Sequence, residues 1–138
     1  MKVLHLIPCI VVALVLSASG QTTIKELQIL AKSSKAEERV IAAYGCRDFV
    51  VRDGHTAMLP IFAALLKDRD RDVVNEILTA ITRTPVKSLK SESRQEVTRF
   101  FMDLKSIVLK LKRDDDKDFT WRVDKAVRRI DEAISRNE

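Results

Sequence analysis

Residues 56–83 read TAMLPIFAALLKDRDRDVVNEILTAITR, and the spacing of their apolar side chains decides the fold. Met58, Leu59, Phe62, Leu65 and Leu66 recur at three and four residues, which puts them on one face of a helix. Thr56 is a suitable cap for that helix, and Pro60 stands in roughly its first turn, where a missing N–H costs little. The charged run KDRDRD at 67–72 cannot be buried and marks a turn. Beyond it, Val73, Val74, Ile77, Leu78 and Ile81 trace a second apolar stripe. Asp70 and Asp72 supply the acceptor and negative charge that a helix start favours. Neither helix buries its stripe alone, so the two must fold on each other and on neighbours.

The same pattern extends to both sides of this pair. Capping boxes, in which a hydroxyl and a carboxylate three residues apart satisfy each other's backbone N–H groups, read at Thr23 with Glu26, Ser34 with Glu37 and Ser93 with Glu96. Asp118 is a further helix cap. Breaks fall at 32–35, Asp53-Gly54, Thr84-Pro85 and across the acidic run 114–118. Six helices are predicted, over 23–32, 35–52, 56–67, 71–83, 93–113 and 118–136. Taken in pairs, their second members align on Val40, Val74 and Val123, then on Ala43, Ile77 and Ala126, then on Tyr44, Leu78 and Val127. The offsets of 34 and 49 residues bracket the roughly 40–47 of paired-helix repeats.

Within the central unit, Leu59-Pro60, Leu65-Leu66, Asp68, Asp70 and Val74 resemble a HEAT repeat. In that family a first helix with an early Leu-Pro leads through an aspartate turn into a second helix. The resemblance is clearest over 56–83 and departs from the family pattern at Asn75, where an arginine is common. It implies an all-α fold: a short right-handed α-solenoid of three HEAT-like helical hairpins whose second helices line the concave side. A compact helical bundle is the alternative, because the periodicity does not tell stacking from closure.

Composition agrees with a helical chain. Among 138 residues there are three Gly and three Pro, with 46% hydrophobic and 33% charged, so turn formers are scarce. Aromatics are only 5%, which makes the expected core mainly aliphatic. Residues 1–20 read differently. Lys2 precedes an apolar run at 3–16, and Ser17-Ala18-Ser19-Gly20 offers small residues for cleavage after Gly20. That run is shorter than the ~20 residues a span requires. A signal peptide over 1–20 and a helical repeat domain over 21–138 follow, with a secreted or periplasmic location. Pro8 in front of Cys9 argues against lipidation.

Removing Lys2 from the 25 Lys and Arg leaves 24 against 20 Asp and Glu, a net +4. So small an excess gives no reason to expect a nucleic-acid partner. Chemistry is poorly served. His55 beside the Asp53-Gly54 turn reads as a surface histidine, and Cys46 as a packed thiol, with no partner for nucleophilic catalysis. Asp68, Asp70 and Asp72 alternate as in a calcium loop, but Val73 and Thr79 stand where it needs Gly and Glu. The acidic run at 114–118 lacks them too. With no Gly-rich phosphate loop, HExxH, CxxC or Gly-x-Ser-x-Gly, neither an enzyme nor a cofactor is expected.

Surface remains. Arg122, Lys125, Arg129 and Arg136 lie along one face of the last helix, with Arg128 beside them, and Arg39, Arg47 and Arg83 extend the stripe. On the second helices of a HEAT-like array this stripe faces a partner. Asp124, Asp131 and Glu132 are also spaced to pair with it and leave a mixed, solvated face. Lys87, Lys90, Arg94 and Arg99 form another basic cluster. The expected function is an exported, monomeric module that binds a partner protein. The rival is an envelope-associated binder of anionic polymer or lipid headgroups.

Overall fold

A computed structural model describes residues 23–89, 92–111 and 114–138, which include six helices and no strand. They are α1 (Ile24–Ala31), α2 (Ala36–Asp53), α3 (His55–Leu66), α4 (Arg71–Arg83), α5 (Arg94–Leu109) and α6 (Lys117–Asn137). The signal-peptide reading of 1–20 lies outside the described residues, as does Lys90. The helix starts follow their local chemistry. Thr23 and Ser93 form complete capping boxes with Glu26 and Glu96. Asp70 accepts from the Asp72 N–H.

Four boundary expectations need correction. The box at Ser34 and Glu37 does not form: α2 starts after Lys35, and the Ser33 hydroxyl bonds to Glu38 instead. The α3 cap is Gly54 rather than Thr56, which moves the helix start back and leaves Pro60 beyond the first turn. Asp116, not Asp118, caps α6, accepting from the N–H groups of Asp118 and Phe119. The helix expected over 93–113 ends at Leu109. There Lys110 and Leu111 donate to Ile107 and Val108 three residues back, tightening the last turn.

The helices form three hairpins, α1–α2, α3–α4 and α5–α6. The first helices adjoin in order, α1 on α3 and α3 on α5, and so do the second, α2 on α4 and α4 on α6. The core between these two layers is largely aliphatic, with Leu65, Leu66, Ile77, Leu78, Ile81, Leu104 and Ile130 almost fully buried. Phe49 and Phe119 are buried in it as well, and an aromatic group lies between α3 and α5. Phe62 meets Phe100 edge-on at 5.5 Å, and Phe100 meets Phe101 at 5.0 Å.

Polar ties join neighbouring hairpins. Arg39 on α2 donates from Nε to Asp68 Oδ2 at 2.7 Å and from Nη2 to Oδ1 at 3.2 Å, with Nη1 on the Ser33 carbonyl. An arginine–aspartate link between the first and second hairpins therefore exists, though not through position 75. Burial opposes ionisation of Asp68, but Arg39 and the Asp70 N–H outweigh it and hold its carboxyl below the usual range. Arg71 at the start of α4 lies over the Phe119 ring at 3.7 Å and reaches Asp114 at 3.0 Å, tying the second hairpin to the third.

Candidate binding face

Two open grooves run along α4, one on either side. The first, of about 390 Å³, lies toward α2 and is lined by Tyr44, Arg47, Asp48, Glu76, Thr79, Ala80 and Arg83. The second, of about 210 Å³, lies toward α6 and is lined by residues 78, 79, 82 and 83 with Trp121, Arg122 and Lys125. Thr79 and Arg83 belong to both, so the grooves meet across α4. Tyr44 at 64% exposure and Trp121 at 52% stand at the far sides. All three helices are second members of their hairpins.

Local geometry holds the groove walls in place. Arg47 donates to the Arg83 carbonyl at 3.1 Å and lies 3.3 Å from Asp48. Arg122 donates from Nε to Asp118 at 2.9 Å and from Nη1 to the Thr79 hydroxyl at 3.1 Å, bridging α6 to α4. The Lys125 ammonium lies 4.9 Å from the Trp121 ring centre. Arg83 meets no carboxylate among the described residues.

The six cations read from the sequence as partner contacts therefore divide. Arg83, Arg122 and Lys125 share one groove. Arg129 lies farther along α6, donating to the Thr84 carbonyl at 3.0 Å and paired with Glu132 at 3.4 Å. Arg136 pairs with the same Glu132 at 3.0 Å. Arg39 is 9% exposed and engaged with Asp68, so its charge does not reach the stripe. Pairing at i+3 and i+4 makes the basic face of α6 a mixed one. Tyr44 and Trp121 escaped the sequence reading. Tyr44 aligns with the apolar column of Leu78 and Val127, but α2 buries Ala42, Ala43, Cys46, Phe49 and Val50 and turns Tyr44 outward. Trp121, the single tryptophan, was the available signal.

The expectation of a surface histidine is overturned. His55 is 0% exposed, with its ring against Phe100 and Phe101 at 5.3 and 5.5 Å. Nδ1 lies 2.8 Å from Glu92 Oε2, and Nε2 lies 2.6 Å from the Pro85 carbonyl. Thirty-seven residues separate His55 from Glu92, and no local motif advertises the pair. Cys46 is a buried free thiol that donates to the Ala42 carbonyl, and burial pushes its ionisation far up.

The acidic runs serve helix ends and turns. Asp68 binds Arg39 and the Asp70 N–H, and Asp114 accepts from the Asp116 N–H. Among the described residues, no group of three or more His, Cys, Asp or Glu is placed to hold a metal, and no helix is long and apolar enough to cross a membrane. Comparison of the chain with protein-family models, with curated proteins and with solved structures found no match.

Proposed function

We propose that the chain is an exported HEAT-like α-solenoid that binds a partner protein through the face of α2, α4 and α6. It acts by recognition rather than catalysis. The solenoid reading rests on two ordered rows of helices, since among the described residues the first hairpin makes no substantial contact with the third. Export rests on the sequence of residues 1–20.

The observation that carries the binding reading is the pair of grooves meeting at Thr79 and Arg83 between exposed Tyr44 and Trp121. Trp, Tyr and Arg are the side chains that most often dominate protein interfaces, because each offers large area or several donors at modest entropic cost. Adjacent helices pack about 10 Å apart, so the two aromatics lie on the order of 20 Å from each other across α4. An extended segment of about six residues spans that distance. The rival reading, an anionic polymer or lipid headgroup, is less well supported. Arg122, Arg129 and Arg136 of α6 already face carboxylates at Asp118 and Glu132, which blunts the field a polyanion would meet.

A photo-crosslinking residue placed singly at 44, 83 or 121, and as controls at 29 and 102 on the first helices, tests the proposal. Cross-links to one protein species from the first three positions, and not from the controls, are the expected result. Capture from the controls alone sinks it. A steep loss of binding between about 50 and 200 mM salt would favour the polyanion instead.

A further inference from the structure

Three successive carbonyls in the segment between α4 and α5 are each taken by a distant side chain. Arg129 donates to Thr84 O at 3.0 Å, His55 Nε2 lies 2.6 Å from Pro85 O, and Asn137 donates to Val86 O at 2.5 Å. Of the three, only histidine changes charge near neutral pH. Its other nitrogen faces Glu92 Oε2 at 2.8 Å. A carbonyl has no hydrogen to give, and neither has an ionised carboxylate. Both contacts are hydrogen bonds only when each ring nitrogen carries a hydrogen, which is the imidazolium form.

Glu92 is held in the matching state. Burial opposes its ionisation, but the His55 ring and the backbone N–H groups of Thr56 and His55 together keep its carboxyl below the usual range. Its Oε1 accepts from the His55 N–H at 2.5 Å and the Thr56 N–H at 3.2 Å, so it caps α3 from outside the helix. Gly54, at φ 95°, makes room: a Cβ there would stand 2.8 Å from Glu92 Oε1. The other groups around the ring are settled. α5 presents Phe100 and Phe101. Asp53 at the end of α2 is 2.8 Å from Arg52. From α6, Arg129 is engaged on the Thr84 carbonyl next to Pro85.

We propose that His55 is a proton-operated clasp. Protonated, it fastens Pro85 and Glu92 to the start of α3; losing the proton frees those two residues and loosens the junction between the second and third hairpins. A neutral ring leaves one lone pair facing an acceptor in a buried site, an arrangement that disfavours the closed state. The clasp thus holds while both ring nitrogens carry hydrogen and is lost when rising pH removes one. A lower limit applies as well, because Glu92 must stay ionised. This inference is independent of the binding face.

Amide hydrogen exchange on the full chain, expressed as protection factors with the intrinsic pH dependence divided out, tests it at about pH 5.5 and about pH 8.5. The probes are the N–H groups of His55, Thr56 and Leu89, all bound to the Glu92 carboxylate. Their protection should fall by about tenfold at the higher pH, with the core of α4 unchanged, and His55→Gln should abolish the difference. Should His55→Gln fail to fold, Glu92→Gln decides. Its amide oxygen still accepts from the two helix N–H groups and its NH2 donates to a neutral Nδ1, so the pH effect should vanish or reverse. Equal protection at both pH values in the wild type, or an undiminished pH effect in Glu92→Gln, overturns the proposal.

Discussion

At Gly54 the backbone takes φ 95° and ψ 165°, a region that residues with a Cβ rarely enter. The Glu92 carboxylate fills the space where that Cβ would be. Gly54→Ala should therefore cost about 1–3 kcal/mol in urea unfolding, with the α3 start and the Glu92 contact both disturbed. A change within ~0.5 kcal/mol would show that the chain relaxes there freely. Asp68 gives a pH-dependent case. Because its carboxyl is held below the ordinary range, its pair with Arg39 contributes at neutral pH and is lost as acid protonates it. Asp68→Asn should cost about 2–3 kcal/mol near pH 7. The deficit should shrink as pH falls below about 4, and a deficit independent of pH would remove the ion pair from the account. At this scale the sequence was a partial guide. Asp70 announced its cap through its position before an apolar stripe. Arg39, His55 and Glu92 did not, because each acts on a partner 29 or 37 residues away. Local spacing carries no trace of such contacts.

Helix starts offer a controlled comparison. Thr23 and Ser93 form capping boxes, whereas Ser34, matching the same pattern, lies outside its helix cap. Ser93→Ala should lower stability by about 1 kcal/mol, and Ser34→Ala should stay within about 0.5 kcal/mol, both read from urea midpoints. Equal costs would mean that the Ser33–Glu38 contact does not displace the predicted box. The apolar stripes of α4 and α5 were legible because period alone places Ile77, Leu78, Phe100 and Leu104 on one side, and all four are buried. Ends were harder to read, since they depend on which neighbouring oxygen reaches a free N–H first. The α2 stripe also misled, because small residues such as Ala42, Ala43 and Gly45 form its buried side and leave the larger Tyr44 outside.

For the molecule as a whole, the all-helical class follows from composition and period, and six helices lie among the described residues. The order of packing does not follow, because amphipathic hairpins satisfy the same periodicity whether they stack in a row or close around one centre. Both the proposed binding face and its grooves depend on that order. Phe62→Ala probes the junction of the second and third hairpins. It should cost about 3–5 kcal/mol, because it empties the edge-on contact with Phe100 in a site with no solvent access. A loss below ~1 kcal/mol would mean that the junction is loose.

The most direct test of the stacking is a pulsed EPR distance between spin labels at 29 on α1 and 102 on α5, both exposed, in a chain carrying Cys9→Ala and Cys46→Ala. Hairpins in a row place these two helices about 20 Å apart or more, with α3 between them, and that distance is the expected result. A distribution centred near ~10 Å would put α1 directly against α5, close the array into a bundle and contradict the account.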